Sequence, residues 1–177
     1  MLGFLIRLLL VGALVGLVGG VGLAVLVTPK TCTPDTGVTG TSVLFARWDA
    51  FVHGAPPQQV TFDEAQATAA LQEALTLADV PIAQVRVHFC ADGTAELAFG
   101  YGLGPVEAHG LAVGTIPAGS PLRLRIVRVV IGGLPTAVTD LALDRLRTLL
   151  EPITTLSLSG PIDRVQVSRG AIVIFHD

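Results

Sequence analysis

One stretch, Leu8–Val27 (LLLVGALVGLVGGVGLAVLV), narrows what this chain can become more than any other. It runs twenty residues without a charge or a strongly polar side chain. A helix rises ~1.5 Å per residue, so the run matches the ~30 Å hydrocarbon thickness of a bilayer, where a helix satisfies its own backbone. Arg7 precedes it and a Thr/Pro-rich segment follows. The basic flank favours the cytoplasmic side. The sequence predicts a transmembrane anchor over 1–27, a linker over 28–40 and an extracytoplasmic domain over 41–177. That makes a single-pass protein of the cytoplasmic membrane with its N-terminus cytoplasmic. A cleavable signal peptide competes, but its apolar core usually spans about 7–15 residues and ends at a small-x-small site. Val25-Leu26-Val27-Thr28-Pro29 is a poor match to such a site. Gly12, Gly16 and Gly20 fall on one helix face, the close-approach pattern of packed membrane helices. The partner this face implies is another transmembrane helix or a second copy of the chain.

Beyond the linker, hydrophobic periodicity gives the elements. Leu44, Trp48, Phe51 and Val52 recur at helical spacing. Thr61-Phe62-Asp63-Glu64 reads as a capping box, opening an alanine-rich helix that runs to about Leu77. From Ile82 the period changes to two. Val85, Val87 and Phe89 alternate with polar residues, Asp92-Gly93 makes a hairpin turn, and Leu97, Phe99 and Tyr101 follow on one face. Further strands are expected over Val106–Val113 and Leu122–Ile131, the second with a parity slip at Val127-Arg128 that marks a bulge. A helix over Thr136–Leu150 and a closing hairpin, Val165–Val167 with Ala171–Phe175, complete the chain. The expected fold is α+β: about six antiparallel strands in one curved sheet packed on two helices, in the order helix-ββββ-helix-ββ.

The chemistry-bearing residues are sparse. No nucleophile elbow, phosphate loop, zinc-protease helix, paired-cysteine metal motif or calcium loop occurs. His53, His88, His109 and His176 are scattered; His88 and His109 sit at alternate strand positions where they could face each other. We expect no enzyme, no metal and no cofactor. With Arg7 set aside, ten Lys/Arg stand against fourteen Asp/Glu, a balance of −4 that argues against a nucleic-acid partner. Arg123, Arg125 and Arg128 form a basic strip suited to lipid headgroups or, in the plainer reading, to pairing with Glu96 or Glu107. Cys32 and Cys90 are either a disulfide, closing a loop of about 58 residues worth about 4 kcal/mol, or two unrelated thiols.

The segments VTFDEAQATAAL, VRVHFCADGTAELAF, LRLRIVRVVIGGLPTAVTDLALDRLRTLL and DRVQVSRGAIVIF, in that order, resemble the LmeA-like family of bacterial envelope phospholipid-binding proteins. That family is related in shape to the tubular lipid-binding (TULIP-type) domains. The resemblance implies a curved sheet wrapped on a helix, with an apolar groove for acyl chains. The residues placed to line it are Leu71, Leu75, Val87, Phe89, Leu97, Phe99, Leu122 and Leu124, with Arg123, Arg125 and Arg128 near the headgroup. The expected function is a membrane-anchored lipid-binding or lipid-carrying module, with membrane lipid as its partner. The alternative is an assembly subunit that docks a membrane complex through its anchor and outer domain.

Overall fold

The structure, a computed structural model, describes residues 26–34, 42–78, 82–103, 106–135, 139 and 159–177. Helix α1 spans Ser42–His53 and buries Leu44, Trp48 and Phe51, the stripe its spacing implies. Past Pro56-Pro57 the chain enters β1, Gln58–Asp63, where Val60 and Phe62 point inward and Gln59, Thr61 and Asp63 point to solvent. It passes without a loop into α2, Glu64–Ala78. Strands β2 (Ile82–Phe89), β3 (Ala95–Leu103), β4 (Val106–Thr115) and β5 (Arg125–Ile131) follow. A final hairpin is formed by β6 (Arg164–Ser168) and β7 (Ala171–His176).

The strands form two antiparallel sheets, one in the order β1-β7-β6 and one in the order β2-β3-β4-β5. Helix α2 serves both. Ala67 and Ala70 join a cluster with Leu44, Trp48 and Phe51 of α1, Val60 and Phe62 of β1, and Ile172 and Ile174 of β7. One turn on, Leu71 and Leu75 join a second cluster with Val85, Leu97, Phe99, Ala112, Ile126 and Val129. Alanine on the first side lets the small sheet approach; leucine on the second reaches across to the larger one. Burying a leucine of this kind contributes about 1.5–3 kcal/mol. The sheets are also tied directly, because Gly170 N at the β6–β7 turn donates to Phe89 O of β2 at 2.9 Å.

Two irregularities aim side chains. Residues Gln84 and Val85 of β2 face Phe99 alone, and Gln84 takes a φ of 54°. On β5, Arg128 pairs with Val113 and Ile126 with Gly114, so Val127 is the extra residue. The bulge therefore sits where the parity slip at Val127-Arg128 places it. Gly114 makes it possible, since a Cβ there would overlap the Arg125 carbonyl.

The structure corrects the expected fold in several places. The single curved sheet of about six strands is instead two sheets of three and four. Strand β1 was not expected: Thr61 lies inside it, and the helix cap falls two residues later. Gln66 N donates to Asp63 Oδ1 at 2.8 Å while Asp63 N donates to Gln66 Oε1 at 3.3 Å. The order helix-ββββ-helix-ββ gives way to α1-β1-α2-β2-β3-β4-β5-β6-β7 among the described residues. The helix expected over Thr136–Leu150 lies outside them, apart from Thr139. Among the described residues no helix is long and apolar enough to cross a membrane. The single-pass placement in the cytoplasmic membrane is therefore not supported, and we drop it. Residues 8–25 of the apolar run, with Gly12, Gly16 and Gly20, lie outside the described residues.

Candidate functional site

Two regions bring chemistry-bearing side chains together. The first lies where the strap of residues 26–34 crosses the larger sheet. Cys32 of the strap is joined to Cys90, just past β2, in a disulfide with a Cα–Cα distance of 5.7 Å. Beside it Cys32 N donates to Glu96 Oε2 at 2.7 Å. Thr33 Oγ1 donates to Glu64 Oε1 at 2.7 Å and lies 2.9 Å from His88 Nδ1. A hydroxyl has one proton, so with that proton on Glu64 it accepts from His88. This fixes His88 as an Nδ1–H donor, in the order Nδ1–H, Oγ1–H, Oε1. Glu64 Oε1 also accepts Phe89 N at 2.7 Å, and Thr68 Oγ1 accepts Val87 N at 2.9 Å. Thr33, Glu64, Thr68, His88 and Glu96 are all buried.

Glu64 owes its place to the register of the cap. With Asp63 and Gln66 capping α2, Glu64 becomes its first residue and turns inward toward β2. Glu96 and His88 are cross-strand partners on one face of the sheet, so the strap meets both. Thr33 is the one buried residue of 26–34; the strap's two large aliphatic side chains, Leu26 and Val27, are exposed, and Pro29 is half-buried. Its three polar contacts to the body contribute about 1 kcal/mol each net, whereas ordering a residue's backbone costs about 1–2 kcal/mol. The covalent bond decides whether the strap stays.

The second region is made by β5, an edge strand of its sheet, and the residues just before it. Arg123 and Arg125 project outward two residues apart, and the bulge keeps Val127 and Arg128 outward as well. Val127 is 62% exposed. Among the described residues none of the three arginines is in an ion pair. Glu96, one partner the sequence suggests, instead accepts Cys32 N.

The eight residues proposed for a groove divide between the clusters. Phe89 and Leu122 belong to the first, Leu71, Leu75, Leu97 and Phe99 to the second, and half-buried Val87 and Leu124 touch both. A cavity of about 300 Å³ opens between α2 and β2, lined by Gln72, Leu75, Thr76, Ile82, Gln84 and Val85. Of the eight, Leu75 alone reaches it, and two carboxamides and a hydroxyl give it a mixed lining. Its volume is at the lower bound of small-molecule sites.

His88 and His109 do not meet. His88 lies opposite Glu96 while His109 lies opposite Gly100, four residues further along β3, about 13 Å at strand rise. Among the described residues one set of three groups has metal-ligand proximity, Cys32, Cys90 and Glu96, and the disulfide occupies both sulfurs. Two carboxyls are held below their ordinary range: Asp92 by the side-chain and backbone hydrogen bonds of Thr94, and Asp163 by His176 and then the Asp177 amide.

The sequence reading missed the buried network. Its signals were faint: Thr33 lies in what reads as a linker, Glu64 has an obvious capping role, and His88 is one of four dispersed histidines. Cys32, next to Thr33, was the only pointer. No protein-family model, curated protein or solved structure matches this chain, so nothing in these comparisons identifies the LmeA-like or TULIP-type family.

Proposed function

We propose that this chain is a non-catalytic binding module that seats its β5 strip on the anionic headgroups of a phospholipid surface. The observation that carries the reading is the outward array of Arg123, Arg125, Val127 and Arg128, with no ion pair to any of the three guanidinium groups among the described residues. A guanidinium forks onto phosphate oxygens in two-point geometry, and the exposed valine between two of them offers an apolar contact at the headgroup boundary. Lipid is met here as a surface. The eight apolar residues first considered for a groove belong to the packed clusters, which favours headgroup contact over an enclosed acyl chain.

The chain as a whole carries −3, so the strip is a local feature that would orient the protein against a long-range repulsion. Each arginine near an anionic membrane contributes about 1 kcal/mol, and three together about a hundredfold in partitioning. The disulfide suits an oxidising compartment. An assembly subunit would present the same strip to an acidic protein face, and one experiment separates the two readings.

The full chain is sedimented with vesicles of phosphatidylglycerol in phosphatidylcholine and with pure phosphatidylcholine, at about 0.1 M salt, where surface charges still act over ~10 Å. Binding is expected to the anionic vesicles, to weaken with added salt, and to fall by about a hundredfold in R123Q/R125Q/R128Q. Equal binding to both vesicles, or binding that the triple variant leaves unchanged, overturns the reading. An absence of binding to either moves the strip to a protein partner.

A further inference from the structure

We infer that Cys32 is a thiol-exchange site, and that the Cys32–Cys90 bond is a latch whose opening by a dithiol reductant frees the strap from the buried Glu64–His88–Glu96 cluster. The inference is independent of the lipid reading. Three observations carry it.

The two halves of the disulfide differ in access: Cys32 is exposed, whereas Cys90 retains 4% of its surface. An incoming thiolate therefore reaches the Cys32 sulfur. Next, the strap's large aliphatic side chains do not anchor it, because Leu26 and Val27 are exposed. Thr33 is its one buried residue, and among the described residues its covalent and polar contacts to the body are the disulfide, Cys32 N on Glu96, and Thr33 Oγ1 between Glu64 and His88. Finally, what lies beneath is ionisable. Glu64, His88 and Glu96 come from α2, β2 and β3, and each holds the strap by a hydrogen bond. Strap release lets water reach all three.

The exchange balances as two displacements. One thiolate of the dithiol attacks Cys32 Sγ; the Cys32–Cys90 bond breaks, and Cys90 leaves as a thiolate that takes up a proton. The second thiol of the reductant, losing its proton, attacks the mixed disulfide and releases Cys32 as a thiol. Two electrons pass to the protein, both cysteines end protonated, and the reductant leaves as a disulfide. The change reaches beyond the strap, because the Glu64 oxygen that accepts Thr33 also accepts Phe89 N, and Phe89 O accepts Gly170 N of the smaller sheet.

Two measurements on the full chain test this. Oxidised protein is treated with a monothiol, quenched in acid and mapped by mass spectrometry; the adduct is expected on Cys32 in at least tenfold excess over Cys90. Amide hydrogen exchange is then compared between oxidised and dithiothreitol-reduced protein. The Cys32 and Phe89 amides are expected to speed up on reduction at least tenfold more than Ala95–Thr115, which is expected to remain protected. The C32A/C90A variant, without reductant, is expected to reproduce that pattern. Adducts shared equally or falling on Cys90 overturn the assignment of the exchange site. Protection of Cys32 and Phe89 that survives reduction overturns the latch. Loss of protection throughout Ala95–Thr115, in reduced protein and variant alike, also overturns it, because the bond is then a staple for the whole fold.

Discussion

The larger sheet treats charge in two opposite ways. At its β2–β3 end Glu96 and His88 sit side by side across the strands, and both are buried. Each is met by a group far away in sequence: Cys32 N reaches Glu96 across 64 residues and Thr33 reaches His88 across 55. At its β5 edge Arg123, Arg125 and Arg128 stay in water, and no ion pair holds them among the described residues. A buried polar group costs free energy unless it is paired, so the first region can exist only while its partners are in place. Exposed guanidinium groups carry no such condition. The first region is thus part of the stability of the fold, and the second is available to something outside it.

Removing the strap's covalent tie should have the largest effect. C32S/C90S opens a loop of 58 residues and is expected to lose about 4 kcal/mol on the chain-entropy account, measured by urea denaturation of the oxidised parent against the variant. Domains of this kind have about 5–15 kcal/mol in hand, so the variant should still fold. A loss under about 1 kcal/mol would mean that the strap is already loose in the parent. Glu64→Ala comes next. It removes the acceptor of both Thr33 Oγ1 and Phe89 N inside the protein, at about 3 kcal/mol for two bonds to a carboxylate. Glu64→Gln, which keeps an oxygen in place, should recover most of that loss. If both substitutions cost the same, the charge of Glu64 matters and its acceptor geometry does not.

What could be read in advance divides along the same line. Local rules marked local features: Asp92-Gly93 turns the β2–β3 hairpin with Gly93 at a φ of 83°, and the parity slip marks the β5 bulge. The helix cap lies two residues beyond the Thr61-x-x-Glu64 motif, at Asp63 and Gln66. Thr61-x-x-Glu64 and Asp63-x-x-Gln66 both fit the rule, and pairing of β1 with β7 selects the second, since it puts Thr61 opposite Val173 in a sheet. Long-range pairing decided a local question there. The same holds for the junction. Nothing within a few residues of Thr33 announces Glu64 or His88, and the strap's position follows from a bond to a cysteine 58 residues away. The arginine strip is legible because strand periodicity aligns Arg123 with Arg125, and the parity slip at Val127-Arg128 brings Arg128 to the same side.

On stability the strip should be nearly silent. R123Q/R125Q/R128Q is expected within about 0.5 kcal/mol of the parent by urea denaturation, as for surface substitutions with no partner. The value of the triple variant lies in pairing it with Glu64→Ala. One should lose anionic-vesicle binding and keep its stability, the other the reverse. A triple variant destabilised by more than about 1 kcal/mol would show that the arginines hold the fold and would remove the contrast between the two regions.

The smallest effect belongs to a second carboxylate–imidazole contact, this one at the surface. His176 Nδ1–H donates to Asp163 Oδ2 at 2.9 Å, and Asp177 N donates to the same oxygen at 3.0 Å. These bonds hold the Asp163 carboxyl below its ordinary value, the His176 contact first and the Asp177 amide second. A carboxyl whose folded value is depressed favours folding above its unfolded value of about 3.9 and loses that contribution as pH falls through the folded value. Urea midpoints between about pH 2 and 5 should therefore decline toward acid, and Asp163→Asn should flatten part of that slope while leaving the midpoint near pH 7 little changed. The group is exposed, so solvent screening keeps the effect small. If Asp163→Asn proved as damaging at neutral pH as Glu64→Ala, burial would not be what separates structural from surface polarity in this protein. A shallower profile in the variant with an unchanged neutral midpoint assigns the difference to the strap: Glu64 and His88 matter because Thr33 seals them from water, whereas the Asp163 carboxylate is about half exposed.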